Sequence, residues 1–487
     1  MRLSTLAADL GSAPLESDPE ISGLTEDSRR VAPGMLFVAV PGTALDGHAY
    51  IAEAVNRGAV AVVAERAGTV PAGVPVVRVP SARAALAVLA ARFSNHPADG
   101  LHLIGFTGTF GKTSTSEILR RLLEAGGVPT GVLGSLGARY RSFHDPGTGL
   151  TTPAPVELHR SLAGLRAAGA GTVIMEVTSH ALTLGRVRGV TFAGGLLAGI
   201  LPGEHTDFHR SYEDYVAAKR LFLEYLAPDA MLAYDADNRA ARMLARDVGR
   251  AAGFSLAGRD ADLQFYDVLA DRHGATFSLG GRAVGRGSGT RLHSTLLGQG
   301  HLRNVALALT YALEAGVPLE AARDVLGSLE PLRRRMERFA MAGRTVLDDT
   351  AGHADSLRAT FDVASLLPHD RVAVVYALRG RRGAEINRQN ALALAGLVAL
   401  HGAEPLIVTA AVDGTGPADK VEEPEIDATR QALVSRGRRF IWHDALASAV
   451  QDALVRTAPG DLIVLVGAQG MNRGREFLER IAAGEGA

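Results

Sequence analysis

The chain has no cysteine and a single tryptophan in 487 residues. With no cysteine there is no disulfide framework and no thiolate metal site, and a reducing compartment fits. Lysine is nearly as scarce. Of 51 Lys+Arg residues only Lys112, Lys219 and Lys420 are lysine, leaving 48 arginines. Arginine cannot stand in where a compact ammonium or a reactive amine is needed, so each surviving lysine merits separate inspection. Charge of one sign is lacking too: a net charge of −1 and a pI near 7.0 leave no electrostatic footprint for nucleic acid or an anionic membrane. No apolar run reaches the roughly 18 residues of a membrane span, and Asp9 falls where a signal core would run. The expectation is a monomeric cytoplasmic protein with no nucleic-acid or membrane partner.

What is present is ample apolar content, 47% hydrophobic against 21% charged, on a chain too long for one ordinary core. Short apolar strands alternate with helical periodicity, which predicts an α/β protein built on largely parallel sheets. A first α/β unit runs through strands at 35–40, 59–64 and 76–79 to a helix that starts behind Ser81 and breaks at Asn95-His96-Pro97. A second opens with the strand 101–106, a glycine turn and an amphipathic helix bearing Ile118, Leu119, Leu122 and Leu123 on one face. Strands at 171–177 and 194–200 follow. The stretch 235–295 reads as irregular β structure, and 295–315 returns to helix. From about 331 a third unit repeats strand and helix. The expected boundaries are 1–98, 99–330 and 331–487.

The turn Thr107-Gly108-Thr109-Phe110-Gly111-Lys112-Thr113 is the sharpest chemical signal. Consecutive amides at a helix N-terminus cradle anions, a lysine there reaches terminal phosphates, and the following hydroxyl meets Mg²⁺. The common GxxxxGK[ST] pattern would need glycine at Phe106, so this is a shorter variant. Ligands of open parallel sheets gather beyond the carboxyl ends of strands. Glu176 closes one strand and His205 follows another, so with Thr113 both can hold Mg²⁺ beside the phosphates. Histidine is not a first choice for that ion, and a loop histidine held by hydrogen bonds explains the spacing equally well. Lys219, in a helical stretch, reads either as a surface lysine or as a nucleophilic or modifiable amine. Lys420 lies among acids and reads as solvated.

The ordered set of that turn, Met175-Glu176-Val177-Thr178-Ser179-His180, Glu204-His205-Thr206-Asp207, Ala217-Ala218-Lys219 and Arg335-Met336-Glu337-Arg338 resembles the Mur ligases. Within them it is similar to the MurE type, which adds the third amino acid to UDP-N-acetylmuramoyl-dipeptide. The N-terminal Leu24-Thr25-Glu26-Asp27-Ser28-Arg29 and Asp46-Gly47-His48 match that type's uridine-nucleotide domain. The resemblance implies three domains: nucleotide-sugar binding, a central P-loop ATPase-like domain, and a C-terminal Rossmann-like domain receiving the amino acid. ATP would phosphorylate a carboxylate, and an amine would attack the acyl phosphate through a tetrahedral intermediate.

By the same resemblance Thr107, Gly108, Thr109, Gly111, Lys112, Thr113, Ser114, Asn304, Arg335 and Asp349 would contact ATP. Lys112, Glu176, His205 and Lys219 would carry catalysis. Thr113, Glu176, His205 and a carbamylated Lys219 would hold Mg²⁺. Ser28, Thr151, Thr152, Thr178 and Arg186 would face the nucleotide sugar.

There are departures. Phe110 replaces an asparagine, Leu184 a glutamine, and Gly352 a histidine. The box that reads diaminopimelate is absent, with Thr409-Ala410-Ala411-Val412-Asp413-Gly414 in its place, and Ala468-Gln469-Gly470-Met471-Asn472 replaces GKGHE. An acceptor other than diaminopimelate is expected, because a charged substrate end left unpaired is strongly disfavoured. A Mur-like ligase acting on a different carboxylate, and a nucleotide-binding pseudoenzyme, are the competing readings.

Overall fold

The computed structural model describes residues 1–8, 10, 17–42, 45–66, 70–202, 208–285 and 289–484. Its contacts divide the chain into two compact units, Met1–Gln264 with Gly281–Arg286 and Ala306–Ala322, and Phe265–Gly280 with Gly287–Val305 and Arg323–Ala487.

The first unit carries two sheets. Strands β1 (Gly23–Thr25), β2 (Met35–Val38), β3 (Ala61–Ala64) and β4 (Val76–Arg78) pair in sequential order, all parallel. Both faces are covered, as parallel sheets require. Leu36, Val38, Ala61 and Val63 pack with Leu86 and Leu89 of the helix Ala82–Phe93, while Phe37, Val62 and Ala64 pack with Ile51 and Ala54. That helix begins where expected, with the Ser81 hydroxyl accepting from the Ala84 amide at 3.2 Å.

The larger sheet is built around β5 (His102–Thr107). β6 (Thr130–Gly134), β7 (Gly137–Tyr140), β8 (Phe143–Asp145), β9 (Thr172–Glu176), β10 (Phe192–Leu197), β11 (Leu226–Asp235) and β12 (Arg250–Ser255) complete it within this unit. The order is β12-β11-β10-β5-β9-β6-β7-β8. From β12 to β6 it is parallel, and β7 and β8 extend it as antiparallel strands. The glycine turn thus leaves the centre of the sheet, and register sets Phe106 beside Glu176 and Thr107 beside Leu197.

The stretch expected to be irregular contains a helix, Arg239–Ala245, and regular strands: β12, then β13 (Leu263–Asp271), β14 (Gly274–Gly280) and β15 (Thr290–Ser294). β14 and β15 pair antiparallel. Most of β13 is exposed on both faces, including Tyr266, Val268 and Leu269, so no hydrophobic alternation marks it.

The second unit holds a six-stranded sheet of β16 (Glu337–Met341), β17 (Arg344–Asp349), β18 (Val372–Ala377), β19 (Leu406–Thr409), β20 (Ile441–His443) and β21 (Leu462–Val466). The order is β16-β17-β21-β18-β19-β20, and only the β16–β17 hairpin is antiparallel. This is the Rossmann-like arrangement expected of the C-terminal part. No helix among the described residues is long and apolar enough to cross a membrane.

Candidate active site

Two glycines of the turn are dictated by space and backbone. Gly108 has φ +148°, and a Cβ there would lie 2.6 Å from that of Ala198; Gly111, with φ +80°, caps the helix Lys112–Ala125 in a left-handed conformation. The turn is stitched to the end of β10: the Ala198 amide donates to the Thr107 carbonyl at 3.0 Å and the Thr109 amide to the Gly199 carbonyl at 3.0 Å. Two of the three lysines meet here. Lys112 Nζ donates to the Gly108 and Thr109 carbonyls at 3.0 and 3.1 Å. Lys219 Nζ donates to Thr107 Oγ1 and the Gly108 carbonyl, both at 3.0 Å, and lies over the Tyr215 ring. Lys219 is only 2% exposed, which removes the surface-lysine reading, whereas Lys420 is exposed as anticipated.

Glu176 is 1% exposed and ends β9 beside this turn. Its carboxylate accepts from Thr113 Oγ1 at 3.2 Å, from the Ser135 amide at 3.1 Å and from Ser135 Oγ at 3.2 Å. Ser135 has no counterpart among the sequence candidates. The available hint was Gly134-Ser135 at the end of a strand, and its importance is steric: a Cβ on Gly134 would lie 2.0 Å from Glu176 Oε1. The hydroxyls of Thr113 and Ser135 with the Glu176 carboxylate form an all-oxygen set of the kind Mg²⁺ prefers. His205 lies outside the described residues, and no cluster of three His, Asp or Glu side chains suited to a metal occurs among those described. Ser114 is buried in the first turn of the helix.

Most of the residues assigned to the sugar side gather around Glu176 and its partner Ser135. Thr151 Oγ1 is 2.9 Å from Ser135 Oγ, Thr152 Oγ1 donates to the Glu176 carbonyl at 3.0 Å, and Thr178 accepts from Thr152 at 3.2 Å while capping the helix Ser179–Thr183. Arg186 donates to the Thr152 carbonyl at 3.1 Å. Ser28 instead faces Glu53, at 3.3 Å. In the second unit Asp349 accepts from Thr360 Oγ1 at 2.8 Å and from the Met336 amide at 3.1 Å, Arg335 reaches Thr350 Oγ1 at 2.6 Å, and Asn304 is half-buried on the helix Gly298–Glu314. Burial raises the Asp349 pKa above the ordinary carboxylate value, partly opposed by the Thr360 hydrogen bond and by Arg335.

A buried charge cluster escaped the sequence reading. Glu26 follows β1 and lies among Glu157, Arg186, Arg83 and Arg30, and Arg30 pairs with Glu157. Glu26 Oε2 is buried with no hydrogen-bond partner. Burial, reinforced by Glu157, pushes this carboxyl up to about 7, against the pull of the arginines. The unfolded chain ionises it near 4.5, so the native state holds the proton more tightly and loses stability as pH rises between those values. Glu26→Gln should therefore stabilise the protein at pH 8 by up to about 3 kcal/mol, with the gain vanishing below about pH 4.5. Thermal melts across that range check this, and a gain independent of pH would refute it.

A glycine turn of the kind that cradles phosphate, a strand-end carboxylate and two lysines on a parallel sheet define the P-loop nucleotide-binding class. The comparisons narrow the class. Residues 20–94 match the Mur ligase family catalytic domain, 106–312 the Mur ligase middle domain, and 334–469 the Mur ligase glutamate ligase domain. The chain is 35% identical over 475 residues to a UDP-N-acetylmuramoyl-L-alanyl-D-glutamate–2,6-diaminopimelate ligase of Xanthomonas campestris pv. campestris (strain 8004), covering 94% of this chain and 92% of that protein. It is 36% identical over 395 residues to the enzyme of the same name from Geobacter sulfurreducens, covering 78% and 76%. The solved MurF ligase from Thermotoga maritima in complex with ADP shares the fold, with a TM-score of 0.65 at 19% identity over 95% of this chain and 98% of that one. The chain belongs to the Mur ligase family. It is an ADP-forming carbon–nitrogen ligase that uses ATP and Mg²⁺.

Proposed function

We propose that the chain joins a free amino acid other than diaminopimelate to the carboxylate of UDP-N-acetylmuramoyl-dipeptide, in peptidoglycan precursor synthesis. The observation that carries the ligase part is the corner where Thr113, Ser135 and Glu176 meet beside Lys112 and Lys219. Residues 1–98 bind the nucleotide sugar, 99–330 bind ATP, and 331–487 present the amino acid. Lys112 and the turn amides hold the triphosphate, and the substrate carboxylate attacks its γ-phosphorus, releasing ADP. The amine then adds to the acyl phosphate, and the tetrahedral intermediate expels phosphate. Thr113, Ser135 and Glu176 would hold Mg²⁺, which would neutralise charge on the phosphates. Thr151, Thr152, Thr178 and Arg186 position the sugar-peptide next to this corner.

The exclusion of diaminopimelate rests on the second unit. Asn472, where the resemblance expects glutamate, is hydrogen-bonded to Arg334, and Asp413 caps the helix Leu446–Arg456 by accepting from the Leu446 and Ala447 amides at 2.6 and 3.0 Å. Neither is left to clasp a zwitterionic end.

Glu26 favours a second reading, in which the carboxylate substrate is another molecule. Its carboxyl, raised to about 7, lies near Arg83 and Arg186 on the face assigned to the nucleotide sugar, and whenever it is ionised it opposes a diphosphate. Phosphate release from ATP should depend on both a carboxylate substrate and an amino acid. UDP-N-acetylmuramoyl-dipeptide as the effective carboxylate supports the first reading, and turnover only with other carboxylates supports the second. Tight ATP binding with no turnover for any pair leaves a nucleotide-binding pseudoenzyme.

A further inference from the structure

Segments that follow β5, β9 and β10 converge on one tyrosine. Tyr215 lies on the helix Tyr212–Arg220, which comes after β10, and is 1% exposed. Its hydroxyl stands 3.2 Å from Thr109 Oγ1, in the glycine turn that follows β5. Its ring packs against that of His209, with centroids 5.3 Å apart, and His209 Nε2 is 3.0 Å from Ser179 Oγ, at the start of the helix that follows β9. Lys219, one helical turn further on, sets its ammonium 5.4 Å from the centre of the Tyr215 ring.

The helix is itself fastened at this edge of the sheet. Ser211 caps it by accepting from the Asp214 amide at 3.1 Å, and the Tyr212 hydroxyl donates to the Ile200 carbonyl, just past β10, at 2.9 Å. Thr109 is tied to the same stretch, since its amide donates to the Gly199 carbonyl at 3.0 Å and its Oγ1 accepts from the Leu201 amide at 2.9 Å. Thr109 Oγ1 thus has the end of β10 on one side and Tyr215 on the other. A buried tyrosine gives up the hydration of its hydroxyl, a loss offset only where a partner meets it. The partner here is the middle of the phosphate-binding turn. Packing alone would be served as well by phenylalanine, so the hydroxyl points to a positional role.

The ring has a separate contact to make. Lys219 Nζ donates to Thr107 Oγ1 and the Gly108 carbonyl, and the negative face of an aromatic ring attracts a neighbouring ammonium. Tyrosine has few rotatable bonds, so burial fixes its hydroxyl and its ring together. One rigid group therefore touches the turn at Thr109 and the amine of Lys219.

We propose that Tyr215 is a positioning residue for ligation: its hydroxyl sets the nucleotide-binding turn through Thr109, and its ring sets the Lys219 amine at a fixed place beside that turn. The part concerning Lys219 rests on the catalytic reading above, whereas the part concerning Thr109 needs only nucleotide binding.

Calorimetric titration of ATP with Mg²⁺ into the full chain tests the hydroxyl. Tyr215→Phe should weaken binding roughly 3- to 10-fold. Thr109→Val, which also strips the acceptor from the Leu201 amide, should weaken it further, and adding Tyr215→Phe to Thr109→Val should cost nothing more. Unchanged affinity in Tyr215→Phe, or losses that multiply in the double variant, overturn the proposal. Phosphate release with UDP-N-acetylmuramoyl-dipeptide and each amino acid in turn tests the ring. Tyr215→Phe should move KM for ATP more than kcat, whereas Tyr215→Leu should lower kcat roughly 100-fold, the cost of misplacing a reacting group by about 1 Å. Equal effects of the two variants on both constants, tracking the fall in melting temperature, are what mere packing gives and overturn it. If no amino acid drives release, the ligase reading falls while the ATP titrations still decide the proposal. A Tyr215→Leu chain that does not fold likewise leaves the decision to those titrations, which need only the phenylalanine and valine variants.

Discussion

Replacing Lys219 by arginine is expected to reduce ligation at least about a thousandfold, the scale of losing a preorganised charged group from a reaction centre. The side chain is 2% exposed, with its ammonium 3.0 Å from both Thr107 Oγ1 and the Gly108 carbonyl, so the larger guanidinium must displace the turn to fit. Arginine keeps the positive charge but loses the reactive amine. In the carbamate reading the deprotonated Lys219 nitrogen forms a bond to the carbon of CO₂ and releases a proton, leaving an anion beside the phosphates. CO₂-depleted buffer should then lower wild-type turnover and bicarbonate should restore it, whereas Lys219→Arg should respond to neither. Full activity in Lys219→Arg would sink both the amine requirement and the carbamate.

Gly134→Ala should lower kcat about a hundredfold and also lower the melting temperature by a few degrees, since crowding a packed interior costs about 1–3 kcal/mol. The new methyl would sit 2.0 Å from Glu176 Oε1 and 2.4 Å from its Cδ. Glu176 cannot swing aside without breaking its bonds to Thr113 and to both polar groups of Ser135. Displacing a group that positions reactants by about 1 Å costs roughly this much in rate. Gly134 is not in the left-handed region, so the substitution adds no backbone strain, and circular dichroism should still match wild type. Steady-state turnover within twofold of wild type would show that Glu176 does not depend on that space.

The contrast between Lys219 and Ser135 explains what the sequence could disclose. The glycine turn is a contiguous motif whose chemistry follows from local spacing, and Lys219 stood out because arginine fills nearly every other cationic position. Glu176 was legible as the last residue of an apolar run. Ser135 was not, because its role arises from β6 lying next to β9, a pairing of strands distant in sequence. The strands β6 to β8 were missed altogether, since glycines at 131, 134 and 137 and an exposed edge blur their period. Glu26 stayed hidden for a related reason: its neighbours Arg83, Glu157 and Arg186 come from separate parts of the chain, and only folding makes it a buried carboxyl. The Rossmann-like sheet of the second unit was readable because its central strands are continuous apolar runs.

The anchoring of the loop after β18 by the buried Glu425 carries a consequence for how such a protein changes over generations. One carboxylate grips the backbone of residues 381–383 through amides that every non-proline residue possesses, so the loop's path does not depend on which side chains it bears. Positions 381 and 382 can then change while the backbone path is kept, with the Arg381–Glu422 ion pair at 3.7 Å given up. The device separates inheritance of the backbone path from inheritance of the side chains it carries.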